Sequence, residues 1–175
     1  MRIIAVVVVH DQQYLMKDDL SFVGYFQRPT VRELILETAL HTAASLSDPE
    51  RKVFRHDDAV VSCHRIGSRV AVLVTDLEYP SRVCFEILRR LHETPTPDQL
   101  ETTIREYQAP ERVDALTAIR HRLDETLIVM HENVNLVLQR GEDLDQLVER
   151  SARLSASSKM FYKAARKHNR CCSTQ

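Results

Sequence analysis

The chain has only three glycines in 175 residues, and none lies in a glycine-rich loop after a strand, so the phosphate cradle of a nucleotide hydrolase is excluded. No apolar stretch approaches the roughly twenty residues that span a bilayer. Neither sign of charge dominates: the formal net charge is −1, and nothing global argues for nucleic acid. The four cysteines show no framework spacing. Cys63 and Cys84 sit in apolar surroundings, as in a reducing cytosol, and Cys171 and Cys172 stand together near the end. Met1-Arg2 and the apolar run Ile3 to Val9 resemble the start of a secretory signal. The run is short, however, and leads into His10-Asp11-Gln12-Gln13 without a small-residue cleavage site. Glycine is missing at position 2, which excludes N-myristoylation. His41, His56, His64, His92, His121 and His131 show no metal-ligand spacing with cysteine, and His92 and His121 are expected on helix surfaces. Cys63 and His64 are adjacent on a strand, where neighbours face opposite ways, so they form no catalytic dyad. Neither catalysis nor a metal cofactor is expected.

No proline occurs between Pro110 and the C-terminus, and a heptad track fills that stretch. Alternating steps of three and four from Arg140 reach Leu116, Ile119, Leu123, Thr126, Met130, Asn133, Val137, Leu144, Leu147, Ser151, Leu154, Ser158, Phe161, Ala165 and His168. Including Arg140, ten of these sixteen are apolar, enough for a sustained coiled-coil pattern. A continuous helix from Glu111 to His168 would span roughly 85 Å, too long to pack inside a small domain. A buried guanidinium at Arg140 costs several kcal/mol unless partner helices supply acceptors at its level, and such a polar layer fixes register and partner number. Gly141 lowers helix propensity further, by roughly 1 kcal/mol relative to alanine. The helix is therefore expected to be unstable alone and to form fully on assembly. The alternative is an ordinary coiled coil in which Arg140 snorkels at the seam. Leu127, Val134 and Val148 form a second apolar flank, expected either to widen the bundle face or to rest on the N-terminal domain before assembly.

The first half alternates strand and helix signals. Ile3 to Val9 reads as a strand covered on both faces, with Tyr14 to Met16 a short neighbour. Thr30-Val31-Arg32-Glu33 fits a capping box opening a helix that Ser47-Asp48-Pro49 stops. Val53 to His56, Ala59 to Arg65 and Arg69 to Thr75 read as antiparallel strands, with turns at Asp57-Asp58 and Gly67-Ser68. A helix from Pro80-Ser81 to about His92 and a short one from Gln99 to Tyr107 complete an α+β domain, which Ala109-Pro110 separates from the heptads.

Leu138-Gln139-Arg140-Gly141-Glu142-Asp143-Leu144-Asp145-Gln146-Leu147-Val148, with Leu123-Asp124-Glu125-Thr126 before it and Lys159-Met160-Phe161-Tyr162-Lys163 after it, resembles an R-SNARE motif. Tyr25-Phe26-Gln27-Arg28 and Glu78-Tyr79-Pro80-Ser81-Arg82-Val83 are similar to a longin domain. With the twin-cysteine tail, the whole chain resembles the prenylated longin R-SNAREs of the synaptobrevin type. The resemblance implies a longin (profilin-like) antiparallel sheet flanked by helices over 1–108, a linker over 109–115, a long R-SNARE coiled-coil helix over 116–168 and a lipidation tail over 169–175. It implies that Arg140 is the ionic-layer arginine facing a glutamine from each of three partner helices, the other heptad residues forming the bundle core. One departure stands in the first long helix: where the family tends to carry an aromatic that holds the SNARE helix to the longin domain, this chain has Glu37.

Cys172-Ser173-Thr174-Gln175 fits a prenylation box, and the terminal glutamine favours farnesyl. The resemblance implies palmitoylation at Cys171, although prenylation of that residue stays open. Lys159, Lys163, Arg166, Lys167 and Arg170 lie in a stretch with no acid, suiting either a helix C-terminus or anionic headgroups. Apart from these covalent lipids no cofactor is expected. The implied function is vesicle docking and membrane fusion in protein transport, on the cytoplasmic face of Golgi, endosomal or vacuolar membranes and in the cytoplasm. A longin-type trafficking adaptor that dimerises through its coiled coil is the alternative.

Overall fold

In the computed structural model, residues 1–11, 13–56, 59–93, 95–108, 129–131 and 144–172 are described. Strands β1 (Ile3–His10) and β2 (Gln13–Asp18) form a hairpin, and a 3₁₀ turn (Tyr25–Gln27) leads into helix α1 (Arg28–Ser45). Strands β3 (Glu50–His56), β4 (Ala59–Ile66) and β5 (Arg69–Asp76) follow, then α2 (Ser81–Glu93) and α3 (Pro97–Tyr107). The sheet order is β2-β1-β5-β4-β3, antiparallel throughout, with a short strand β6 (Val129–His131) added in parallel to β3. This is the α+β longin architecture: a five-stranded antiparallel sheet with α1 on one face and α2 and α3 on the other.

The β-branched run of β1 serves both faces, as its sequence requires. Val6 and Val8 join the core under α2 and α3, whereas Ala5 and Val7 join the core under α1. A register shift between Ile3 and Ala5 changes this parity, and Ile3 therefore lies with Val6 and Val8. The side chain of Gln108 bonds the strand there: Ile3 N–H donates to its Oε1 at 3.0 Å, and its Nε2 donates to Ile3 C=O at 3.0 Å and to Asp19 Oδ2 at 3.1 Å. Gln108 thus fastens the end of the domain to its first strand. Tyr79 OH donates to Tyr107 C=O at 2.7 Å, tying α3 to the turn before α2.

Two sequence expectations are corrected. Helix α1 begins at Arg28, with Pro29 in its first turn, where no N–H is needed. The Thr30 to Glu33 capping box does not form, because Thr30 already lies inside the helix and the Glu33 carboxylate is engaged elsewhere. His92 is half-buried and not an open helix-surface residue: its ring lies edge-to-face with that of His64 at 4.8 Å, and its Nε2 is 3.1 Å from His64 C=O. His121 and the Asp57-Asp58 turn lie outside the described residues.

The described parts of the heptad region, expected to complete its helix on assembly, lie in separate elements. Met130 sits in β6, paired with Val53, and the helical run is interrupted again between Arg150 and Ala156. A lone heptad helix would leave its apolar seam in water, and the described part of the seam turns onto its own domain instead.

Candidate functional site

The C-terminal segment folds into two helices, α4 (Leu144–Arg150) and α5 (Ala156–Cys172). Serines set the break between them. Ser151 Oγ accepts the backbone N–H of Arg153 at 3.2 Å and of Leu154 at 3.3 Å, turning the chain. Ser155 then caps α5, its Oγ accepting the Ser158 N–H at 3.2 Å. The two helices return alongside each other: Lys163 pairs with Glu149, Arg166 pairs with Asp145, and Lys159 Nζ donates to Glu149 C=O at 2.8 Å. Between them Leu147 packs against Tyr162.

Helix α5 rests on α1. Glu33 Oε2 accepts three hydrogen bonds, from Ser155 N–H at 3.0 Å, Ser155 Oγ at 2.9 Å and Ser158 Oγ at 2.7 Å. These donors, the Ser155 backbone N–H first, hold the Glu33 carboxyl below the usual carboxylate range. One turn further along α1, Glu37 forms an ion pair with Arg153 at 3.9 Å. Glu37 thus meets an arginine at the position where the resemblance led to an aromatic contact. The two carboxylates stand four residues apart, on one face of α1.

The heptad residues of this part fall into two groups. Leu147, Ser151, Leu154 and Ser158 are buried in the folded-back arrangement, as is Val148 of the second flank. Phe161 is half-buried and Ala165 exposed. Leu144 and His168 lie on α4 and α5, and Cys171 and Cys172 fall in the last turn of α5. Leu116, Ile119, Leu123, Thr126, Leu127, Asn133, Val134, Val137 and Arg140 lie outside the described residues, as do the 109–115 linker and residues 173–175. Sequence reasoning does not single out Glu33, Arg153 or Ser155 as contact residues. The signal that points to them is the pair of acids at 33 and 37, four residues apart and so on one face of the helix.

The synaptobrevin family model matches residues 115–175. Over 174 residues the chain is 36% identical to the synaptobrevin homolog YKT6 of Saccharomyces cerevisiae, the match covering 88% of this chain and 87% of that protein. The chain belongs to the synaptobrevin family, as a longin R-SNARE. It is also 34% identical to the VAMP-like protein YKT61 of Arabidopsis thaliana over 88% of this chain and 86% of that one. The synaptobrevin homolog of Schizosaccharomyces pombe is 33% identical over 88% and 87%. This R-SNARE is accordingly a vesicle-trafficking protein and not an enzyme. Among the described residues no helix is long and apolar enough to cross a membrane.

Proposed function

We propose that this R-SNARE winds residues 116–168 with three glutamine-bearing SNARE helices into a parallel four-helix bundle, and so draws a vesicle and its target membrane together. Arg140 supplies the ionic layer, and the other heptad residues named above form the core layers. A prenyl chain on Cys172 and a palmitoyl chain on Cys171 hold the C-terminus at the cytoplasmic face of Golgi, endosomal or vacuolar membranes. A single lipid binds reversibly and a second makes attachment durable, so palmitate on Cys171 acts as the residence switch. The basic segment Lys159 to Arg170 adds attraction to anionic headgroups.

The observation that carries this reading is the burial of Leu147, Ser151, Leu154 and Ser158. Those four consecutive heptad positions are the ones a bundle would use, and without partner helices the chain covers them itself. The test mixes the full chain with candidate glutamine-bearing SNARE helices and follows helicity and detergent-resistant complex formation. Helix gained only with partners, and weakened by Arg140→Gln, is the expected result. Helicity that rises by self-association without partners would favour the dimerising adaptor instead.

A further inference from the structure

The loop before α1 displays aromatic side chains that no core claims. Phe26 is 92% exposed, Tyr25 75% and Phe22 49%. Such exposure defines a protruding tip and not a groove. The tip is held in shape: Arg28 Nε donates to Val23 C=O and Arg28 Nη2 to Ser21 C=O, both at 3.0 Å, and Gln27 N–H donates to Gly24 C=O at 2.8 Å. Its rings are therefore presented with little further ordering to lose on binding. Guanidinium groups accompany them, with Arg2 4.6 Å above the Phe22 ring and Arg28 6.0 Å from the centre of Tyr25.

The direction of α5 says what lies opposite this tip. Residue numbers rise along α1 from Glu33 to Glu37 while their partners fall from Ser158 and Ser155 to Arg153, so the chain entering α5 runs back toward the N-terminal end of α1. From Ser158 to Cys172 the helix rises about 21 Å, whereas α1 has about 8 Å left before Arg28. A helix continued along that course carries the basic, cysteine-tipped end of α5 past the end of α1 that follows the aromatic tip. Aromatic rings with adjacent guanidinium groups suit the headgroup level of a bilayer, where the ring enters the interface and the cation meets phosphate.

We propose that Phe22, Tyr25 and Phe26 form a second membrane contact, seating the longin domain on the anionic bilayer to which the C-terminus leads. The inference rests on the reading that the C-terminus is held at a membrane, and the test imposes that attachment chemically. Full-length protein is coupled through Cys171 and Cys172 to a maleimide-bearing lipid, Cys63 and Cys84 being buried. The vesicles are phosphatidylcholine with phosphatidylserine. The chain contains no tryptophan, so Phe26→Trp introduces a single reporter. Its emission should shift to the blue and be quenched by brominated lipid. Tyr14→Trp, at the far end of β2 from the tip, should stay water-like. An unshifted Phe26→Trp signal on coupled vesicles, or a shift at Tyr14→Trp in its place, overturns the proposal without touching the lipidation reading. For uncoupled protein, Tyr25→Ser with Phe26→Ser should weaken partition onto the same vesicles roughly tenfold or more. Unchanged partition also counts against it, and a Phe26→Trp shift produced only by a soluble protein would overturn it in favour of protein docking.

Discussion

Replacing Glu33 with alanine removes the acceptor that three donors of the C-terminal segment share. Hydrogen bonds to a charged group are worth about 1.5–3 kcal/mol each when dry, but this carboxylate is partly solvated and all three donors crowd one oxygen. With the acceptor gone, exposed Ser155 exchanges its bonds for solvent, whereas fully buried Ser158 is left with Ser155 Oγ at 3.0 Å. A total of about 2 kcal/mol follows, about a thirtyfold rise in the open population. Hydrogen exchange of the amides from Leu147 to Phe161 measures it directly, since those amides exchange through local opening while the sheet exchanges through global unfolding. Glu33→Gln, which retains an uncharged acceptor, should give an intermediate rise. The carboxyl is held below its ordinary value of 4.5 in the folded-back form, so its contribution is complete above that pH and is lost as pH falls through the lower, folded value. Unchanged exchange in this segment, or an equal rise across β1 and β5, would refute the reasoning.

Two further outcomes follow from the buried set. Val148→Asp puts a carboxylate where the side chain is 3% exposed, a change costing several kcal/mol unless the segment detaches. Limited proteolysis should therefore cut within 144–172, while the urea midpoint of the sheet stays in place. Protection equal to wild type would show that Val148 is not held. His64, buried beside His92 and Arg51, has its pKa lowered to about 4 from 6.5, chiefly by burial and then by those two neighbours. His92 is lowered too, burial again leading. The unfolded chain then binds more protons than the folded one below pH of about 6.5, so stability falls with acid down to about pH 4. The slope approaches about 1.4 kcal/mol per pH unit for His64. Urea titrations in that range check it, and a curve as flat as that of His64→Gln would contradict the assignment.

The strands are legible because their signal is local. The strands read from Ile3, Ala59 and Arg69 end within a residue of the observed β1, β4 and β5. β6 is not legible, because Val129 to His131 carries heptad spacing and becomes a strand only where the edge of β3 offers it backbone partners. The start of α1 is obscured for a related reason. Thr30 and Glu33 satisfy a capping pattern in sequence, but Glu33 has stronger donors in Ser155 and Ser158, far along the chain. Gln108 shows the same limit, a polar residue at an ordinary helix end whose role depends on the strand beside it. Ser151 and Ser158 read in sequence as positions of the heptad track. Their neighbourhood uses hydroxyls as well: Ser151 ends α4, and Ser155 and Ser158 dock α5 on Glu33.

That double use makes the folded-back segment a latch with a consequence for assembly. Leu147, Ser151, Leu154 and Ser158 cannot be buried there and in the proposed bundle at once, so the two forms exclude each other over these positions. The free energy of folding back is then subtracted from assembly, and the ~2 kcal/mol that Glu33 contributes to it lowers the apparent association constant about thirtyfold. Linkage makes this reciprocal: whatever strengthens the α1 contact weakens partner binding by the same factor. Glu33 lies on the longin domain and outside the heptads, so Glu33→Ala changes the latch and leaves the bundle intact, whereas Ser158→Ala alters both. Faster partner-dependent complex formation by Glu33→Ala, with unchanged stability of the finished complex, is the signature of a latch. A change in the finished complex would mean that the longin domain stays engaged after the helices have wound.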